Sequence, residues 1–172
     1  VLDDGSGTAN ATDTTTVTIP VTGSNDDPVV ATDDLTGGVT EAGTPTDPLT
    51  DSGTIAFTDV DLTDTHTVPT IVPSAGALGT LTAEVTLDTT GTGTGGVITW
   101  NYSVAAADVE YLGEDETKVE TFTITLDDGN GGQIERTVSV TITGTNDAPL
   151  IAATDEDQAN DTIAEFADGS IA

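Results

Sequence analysis

Two eight-residue stretches, VTGSNDDP at 21–28 and ITGTNDAP at 142–149, constrain this chain more than any other feature. Their flanks agree as well. LDDGSGTANATDTTTVTIP (2–20) leads into the first and LDDGNGGQIERTVSVT (126–141) into the second, so each copy runs from Leu-Asp-Asp-Gly-x-Gly through a β-branched stretch into Gly-x-Asn-Asp-x-Pro. The spacing is 124 residues at Leu2/Leu126 and 121 at Val21/Ile142, which puts three extra residues in the turn of the first copy. A period of that size is too long for a solenoid unit and suits an array of whole domains. The predicted organisation is the tail of one unit with its linker (1–26), one complete unit (27–148) and the opening of a third (149–172). A start without Met, inside a hairpin signal, fits an excised or processed piece of such an array.

Within the complete unit the periodicity is that of β-structure. Short Thr/Val/Ile-rich runs are bounded by Gly, Pro, Asp and Asn. Seven strands are predicted, near 36–41, 53–58, 66–72, 78–87, 96–104, 118–126 and 134–143. Ile98, Trp100, Tyr102 and Val104 share one face and Thr99, Asn101 and Ser103 the other. Phe122, Ile124 and Leu126 alternate with threonines, and so do Val138, Val140 and Ile142. Val17, Ile19 and Val21 repeat the last three at the offset of 121 and predict a strand over 14–22. AAADVEYL (105–112) reads as one helical turn. About seven strands with Thr outside describe an all-β, Ig-like or cadherin-like antiparallel β-sandwich.

Charge then narrows the function. The chain has 31 Asp and Glu against two basic residues, Lys118 and Arg136, for a formal net charge of −29. Nucleic acid and anionic membranes want the opposite sign, and no apolar run is long enough to insert in a bilayer. With no Cys there is no disulfide framework, a role that a metal can fill in a secreted domain.

If successive strands alternate in direction, three acidic segments meet at one end of the sandwich. They are the linker Asn25-Asp26-Asp27-Pro28, the DVDLTD loop with Asp59 and Asp61, and the LDDGNGG turn with Asp127 and Asp128. Glu41, the EYLGEDET segment with Glu114 and Glu116, and Asn146-Asp147 fall at the other end. Carboxylates crowded together repel one another unless a cation neutralises them. Ca²⁺, which takes six to eight oxygens in flexible geometry, is the expected ion. Zn²⁺ and copper want Cys or several His, and there is one His. Pro28 and Pro149 stiffen the two linkers.

These residues resemble two families. The order of a first-strand Glu (Glu41), a DxD pair (Asp59, Asp61), an acidic segment (Glu114–Glu116) and an Asn-Asp-x-Pro linker is similar to cadherin repeats, except that GEDE (113–116) stands where their acidic motif carries Arg. The chain more closely resembles the VCBS repeats of large RTX-type bacterial adhesins. GTIAFTDVDLTDTHTV (53–68), LGTLTAEVTLDTTGTGTGGVITWNYSV (78–104), VEYLGEDETKVETFTITLDDGNGG (109–132) and VTITGTNDAPLI (140–151) carry that likeness. It implies export to the bacterial surface, and repeats that hold a distal adhesive region away from the cell, with other domains meeting the host or surface ligand. Beyond about residue 151 the likeness to the second unit's opening fades, which suggests a different repeat type.

Plainer readings stand beside these. Asp, Asn and Gly are what turns prefer. Trp100 reads as core and His66 as an uninvolved surface residue. GTGTGG (91–96) lacks the Lys of a phosphate loop and precedes a strand. No catalytic constellation is evident around the single His, so the chain is not expected to be an enzyme. Two alternatives to the spacer remain: a repeat that itself binds a glycan or surface, and a filament subunit whose unpartnered strand adds to a neighbour's sheet.

Overall fold

The computed structural model describes residues 2–3, 12–13, 15–42 and 47–148. The predicted third unit and Pro149 lie outside the described residues. The strands are β1 (Leu2–Asp3), β2 (Thr12–Asp13), β3 (Val29–Asp33), β4 (Thr36–Thr40), β5 (Leu49–Thr58), β6 (Thr67–Pro73), β7 (Thr80–Leu87), β8 (Gly96–Val104), β9 (Thr117–Asp127) and β10 (Gln133–Thr143). One 3₁₀ turn, Ala106–Asp108, falls in the predicted helical stretch.

Two four-stranded sheets, ordered β4-β10-β9-β6 and β3-β5-β8-β7, face each other. The predicted alternation sets the core. Ile98, Trp100, Tyr102 and Val104 point inward from β8, Phe122, Ile124 and Leu126 from β9, and Val138, Val140 and Ile142 from β10, all at most 2% exposed. Each large apolar side chain buried this way contributes roughly 1.5–3 kcal/mol. Trp100 needs more than apolar neighbours. Its Nε1 donates to the Asp34 carbonyl at 2.8 Å, and Gly53 lies under the indole, where a Cβ would collide with the ring.

Three features depart from the sequence reading. An eighth strand, β3, precedes the predicted first one and pairs with β5. Its sequence, VVATD, is too short and polar to show alternation, and it lies at a sheet edge. The sandwich is not wholly antiparallel, because β4 runs parallel to β10. At Asp34–Leu35 the chain crosses between sheets without reversing, so the same pass serves both. Finally, the strand expected over 14–22 does not form across its described residues, 15–22. Residues 15–28 have no regular secondary structure, and Val17, Ile19 and Val21 are 77%, 77% and 92% exposed. Alternation prepares a strand, but a sheet needs a partner to complete its hydrogen bonds.

The repeat is visible in backbone register. Leu2 pairs with Asp13 and Asp3 with Thr12. Their sequence counterparts pair identically in the β9–β10 hairpin, Leu126 with Ile134 and Asp127 with Gln133.

Candidate metal centres at the two poles

The linker pole is built from the 23–28 segment, the β5–β6 loop and the β9–β10 turn. Asp59, Asp64 and Asp128 are 2%, 4% and 0% exposed, and each offers a carboxylate oxygen within 4.8 Å of the others. Local turns aim them. Asp59 Oδ1 accepts from Asp61 N at 2.8 Å. Asp128 Oδ1 accepts from Asn130 N at 2.8 Å and Gly132 N at 2.9 Å. The linker closes over this cluster: Asn25 Nδ2 donates to Asp128 Oδ2 at 2.8 Å, and Asp26 N donates to Asp61 Oδ2 at 2.7 Å. A Cβ on Gly132 would meet both Asp27 Oδ1 and Asp128 Oδ2, so glycine lets the two carboxylates approach. Asp127 turns aside, accepting from Gly129 N at 2.6 Å and Gln133 Nε2 at 2.5 Å; its role here is to close the turn.

His66 is buried in this pole, contrary to its reading as a surface residue. Nε2 lies 3.0 Å from Asp59 Oδ2 and Nδ1 2.7 Å from Asp88 Oδ1. Both ring nitrogens thus face carboxylate oxygens from separate loops. Burial acts to raise the Asp88 carboxyl, but hydrogen bonds from His66 and Thr89 outweigh it and hold the group below its ordinary range. Asp128 behaves alike: burial opposes ionisation, and donors from Asn25, Asn130, Gly132 and Gly131 more than offset it. Asp64 Oδ1 accepts from Asn130 Nδ2 at 2.8 Å, while its buried Oδ2 has no partner.

At the far pole Glu41, Glu110 and Asp147 bring carboxylate oxygens within 4.8 Å of one another. Glu41 is 3% exposed. Its Oε2 accepts from Thr145 N at 2.9 Å, and its Oε1 has no partner, nor has Glu110 Oε1. The Glu110 carboxyl is raised by burial first, then by the charges of Glu41 and Asp147 and a hydrogen bond with Glu41. Glu114 and Glu116, predicted here, stay exposed. Glu116 Oε2 accepts from Gly113 N at 3.2 Å, closing its own turn. Glu110, at the start of the same acidic segment, takes the place assigned to them. The Asn146 amide makes only a 3.5 Å contact with the Asp147 carbonyl.

Both poles suit a hard cation that wants oxygen. Each has several carboxylates and at least one orphaned buried carboxylate oxygen, and oxygen donors of that kind are what Ca²⁺ takes. Sequence reasoning missed Asp64, His66, Asp88 and Glu110. Asp64 was accessible to it as the third acid of DVDLTD; the pairing of His66 with Asp88, on separate loops, carried no sequence signal.

No family model matches the chain, and no curated protein matches it. Two solved structures are similar over 71% of its length. The N-terminal domain of PorA is 11% identical over 100% of that chain, with a TM-score of 0.39. AggA, the major subunit of aggregative adherence fimbriae type I from Escherichia coli, is 14% identical over 98% of that chain, with a TM-score of 0.37. These superpositions are loose and carry no functional weight.

Proposed function

We propose that this chain is a calcium-stiffened extender repeat of a secreted bacterial surface adhesin of VCBS type, and that its role is structural rather than catalytic. The observation that carries the reading is the linker's attachment to a buried carboxylate cluster that retains an orphaned oxygen. Asn25 and Asp26 bind Asp128 and Asp61, while Asp64 Oδ2 is left free for a cation. Asp59, Asp61, Asp64 and Asp128 would hold the ion at the linker pole, with Asp27 beside them. Glu41, Glu110 and Asp147 would do so at the far pole. The ion supplies positive charge that joins linker to sandwich, with an affinity on the order of 10⁻⁴ to 10⁻³ M, as in extracellular modules.

By the repeat, Asn25-Asp26 and Asn146-Asp147 are equivalent. One sandwich therefore displays both halves of a junction: a linker received at one pole and a linker leaving from the other. A stiff junction makes reach additive in domains, whereas a flexible one lets it grow only as about the square root of length. Small-angle scattering on several tandem copies tests this. The maximum dimension is expected to be long in Ca²⁺ and shorter and more variable in chelator; equal dimensions reject stiffening.

A second reading, a filament subunit assembling by strand exchange, is favoured by the exposure of Val17, Ile19 and Val21. Their counterparts Val138, Val140 and Ile142 are wholly buried, so the segment has the side-chain pattern of an inserted strand. Sedimentation showing concentration-dependent polymers, abolished when the three become Thr, supports that reading over the spacer.

A further inference from the structure

Asn130 is followed by Gly131, and this is the one Asn-Gly step in the sequence; the other asparagines precede Ala11, Asp26, Tyr102, Asp147 and Asp161. Glycine leaves the following backbone nitrogen unhindered, which is what attack on an asparagine side chain requires. Both residues are exposed in the β9–β10 turn, and Gly131 has φ +115°, a region glycine tolerates best. Asn130 is also tied into the linker pole. Its Nδ2 donates to Asp64 Oδ1 and its backbone N to Asp128 Oδ1, and the Gly132 N–H on the other side of the dipeptide donates to Asp128 too.

We propose that Asn130 is a deamidation site shielded by calcium, an inference that rests on the linker-pole metal reading. In the metal-free protein the Gly131 nitrogen attacks Asn130 Cγ. The N–Cγ bond forms, the Cγ–Nδ2 bond breaks, and the proton lost from Gly131 leaves with the departing ammonia. Water then opens the succinimide at either carbonyl, giving Asp or isoaspartate. No oxidant is needed, and water is the one co-reactant. A cation held by Asp64 and Asp128 occupies both groups that contact this dipeptide. It fixes the two carboxylates that hold the Asn130 amide and backbone, so the turn has less freedom to reach the ring-closing geometry.

The product changes the pole. An amide that donates to Asp64 becomes a carboxylate facing it, next to an Asp64 oxygen that already lacks a donor. Metal-free protein is thereby weakened, and the metal-bound form gains an anionic oxygen. The modified chain depends on calcium more strictly than the one synthesised.

The test incubates the whole chain at mildly alkaline pH in millimolar Ca²⁺ or in chelator, with isoaspartate located by peptide mapping and Ca²⁺ binding measured separately by calorimetry. Isoaspartate at position 130 is expected to form several-fold faster in chelator and to be absent in Asn130→Gln, where the ring closes poorly. Asn130→Asp should show a larger difference in melting temperature between Ca²⁺ and chelator than the parent. Equal rates in the two buffers, or modification no greater at 130 than at the other asparagines, overturn the proposal. If calorimetry still shows Ca²⁺ binding in that case, the junction reading stands without it.

Discussion

At the linker pole every carboxylate oxygen of Asp59, Asp64 and Asp128 except Asp64 Oδ2 accepts an N–H or lies against a His66 ring nitrogen. At the far pole Glu41, Glu110 and Asp147 face one another, and two of their buried oxygens have no donor. The same kind of charge is therefore held in opposite ways. Backbone N–H groups, two asparagine amides and the His66 ring hold the linker pole's carboxylates in place. Among the described residues the far pole has one such donor, Thr145 N to Glu41 Oε2, and its Glu110 carboxyl retains a proton more readily than an ordinary one. Preorganised donors lower the cost of holding charge, so under the calcium proposal the linker pole should bind Ca²⁺ more tightly than the far pole and with less dependence on pH.

The largest effect should come from breaking the supported pole. Asp128→Ala strands Asn25 Nδ2, Asn130 N and Gly132 N. Leaving several donors unpaired should cost about 3 kcal/mol. Urea unfolding is expected to show that loss, and calorimetry to lose the tighter Ca²⁺ event. If Asp128→Ala binds Ca²⁺ as the parent does, the cluster is not the site.

Calcium itself comes next. A ligand bound only by the folded form at 100 times its Kd adds about 2.7 kcal/mol. The melting temperature should rise accordingly between chelator and Ca²⁺, with Glu41→Gln removing a smaller part of the rise than Asp59→Ala. An unchanged melting temperature argues against metal at either pole.

A buried carboxylate that needs no metal provides a control. Glu120 is 1% exposed and accepts from Leu78 N at 2.6 Å, Gly79 N at 3.0 Å and the Tyr102 hydroxyl at 2.9 Å. Burial first, and then Glu120, push the Tyr102 phenol well above its ordinary range. Tyr102→Phe should cost about 1.5–2 kcal/mol for a hydrogen bond to a charged group, equally in Ca²⁺ and chelator. A Ca²⁺-dependent cost would mean that the core and the poles are coupled.

The smallest effect is one of pH. Asp128 and Asp88 are held below the ordinary range, so their contribution is present above the unfolded carboxyl range and lost as pH falls through their folded values. Glu110 has the opposite sign. Its raised carboxyl contributes at acid pH, and that contribution is lost as pH rises through its folded value. In chelator, Glu110→Gln should therefore be slightly more stable than the parent at neutral pH, with the gain vanishing in acid. A gain that is the same at every pH would show that Glu41 and Asp147 do not repel Glu110.

The sequence by itself determined the layers and the location of the charge. A side-chain period of two assigned Ile98, Trp100, Tyr102, Phe122, Ile124 and Val140 to an inner face, because a strand places alternate residues on opposite sides. The same parity puts Glu120 on that face, a charged residue among apolar ones, which is a signal that something satisfies it. The repeated linker motif and the order of strands brought Asn25, Asp59 and Asp128 to one end. Strand direction is a counting argument, and counting survived the insertion of β3 because β3 and β4 run the same way. Only the tertiary structure decided which acids meet. Asp64 enters the cluster through Asn130, His66 bridges to Asp88 from another loop, and Glu110 displaces Glu114 and Glu116. Those choices depend on the reach and direction of side chains on irregular loops, where no period constrains them. They also depend on pairings 22 residues apart for His66 with Asp88 and 66 for Asp64 with Asn130, which local sequence does not encode.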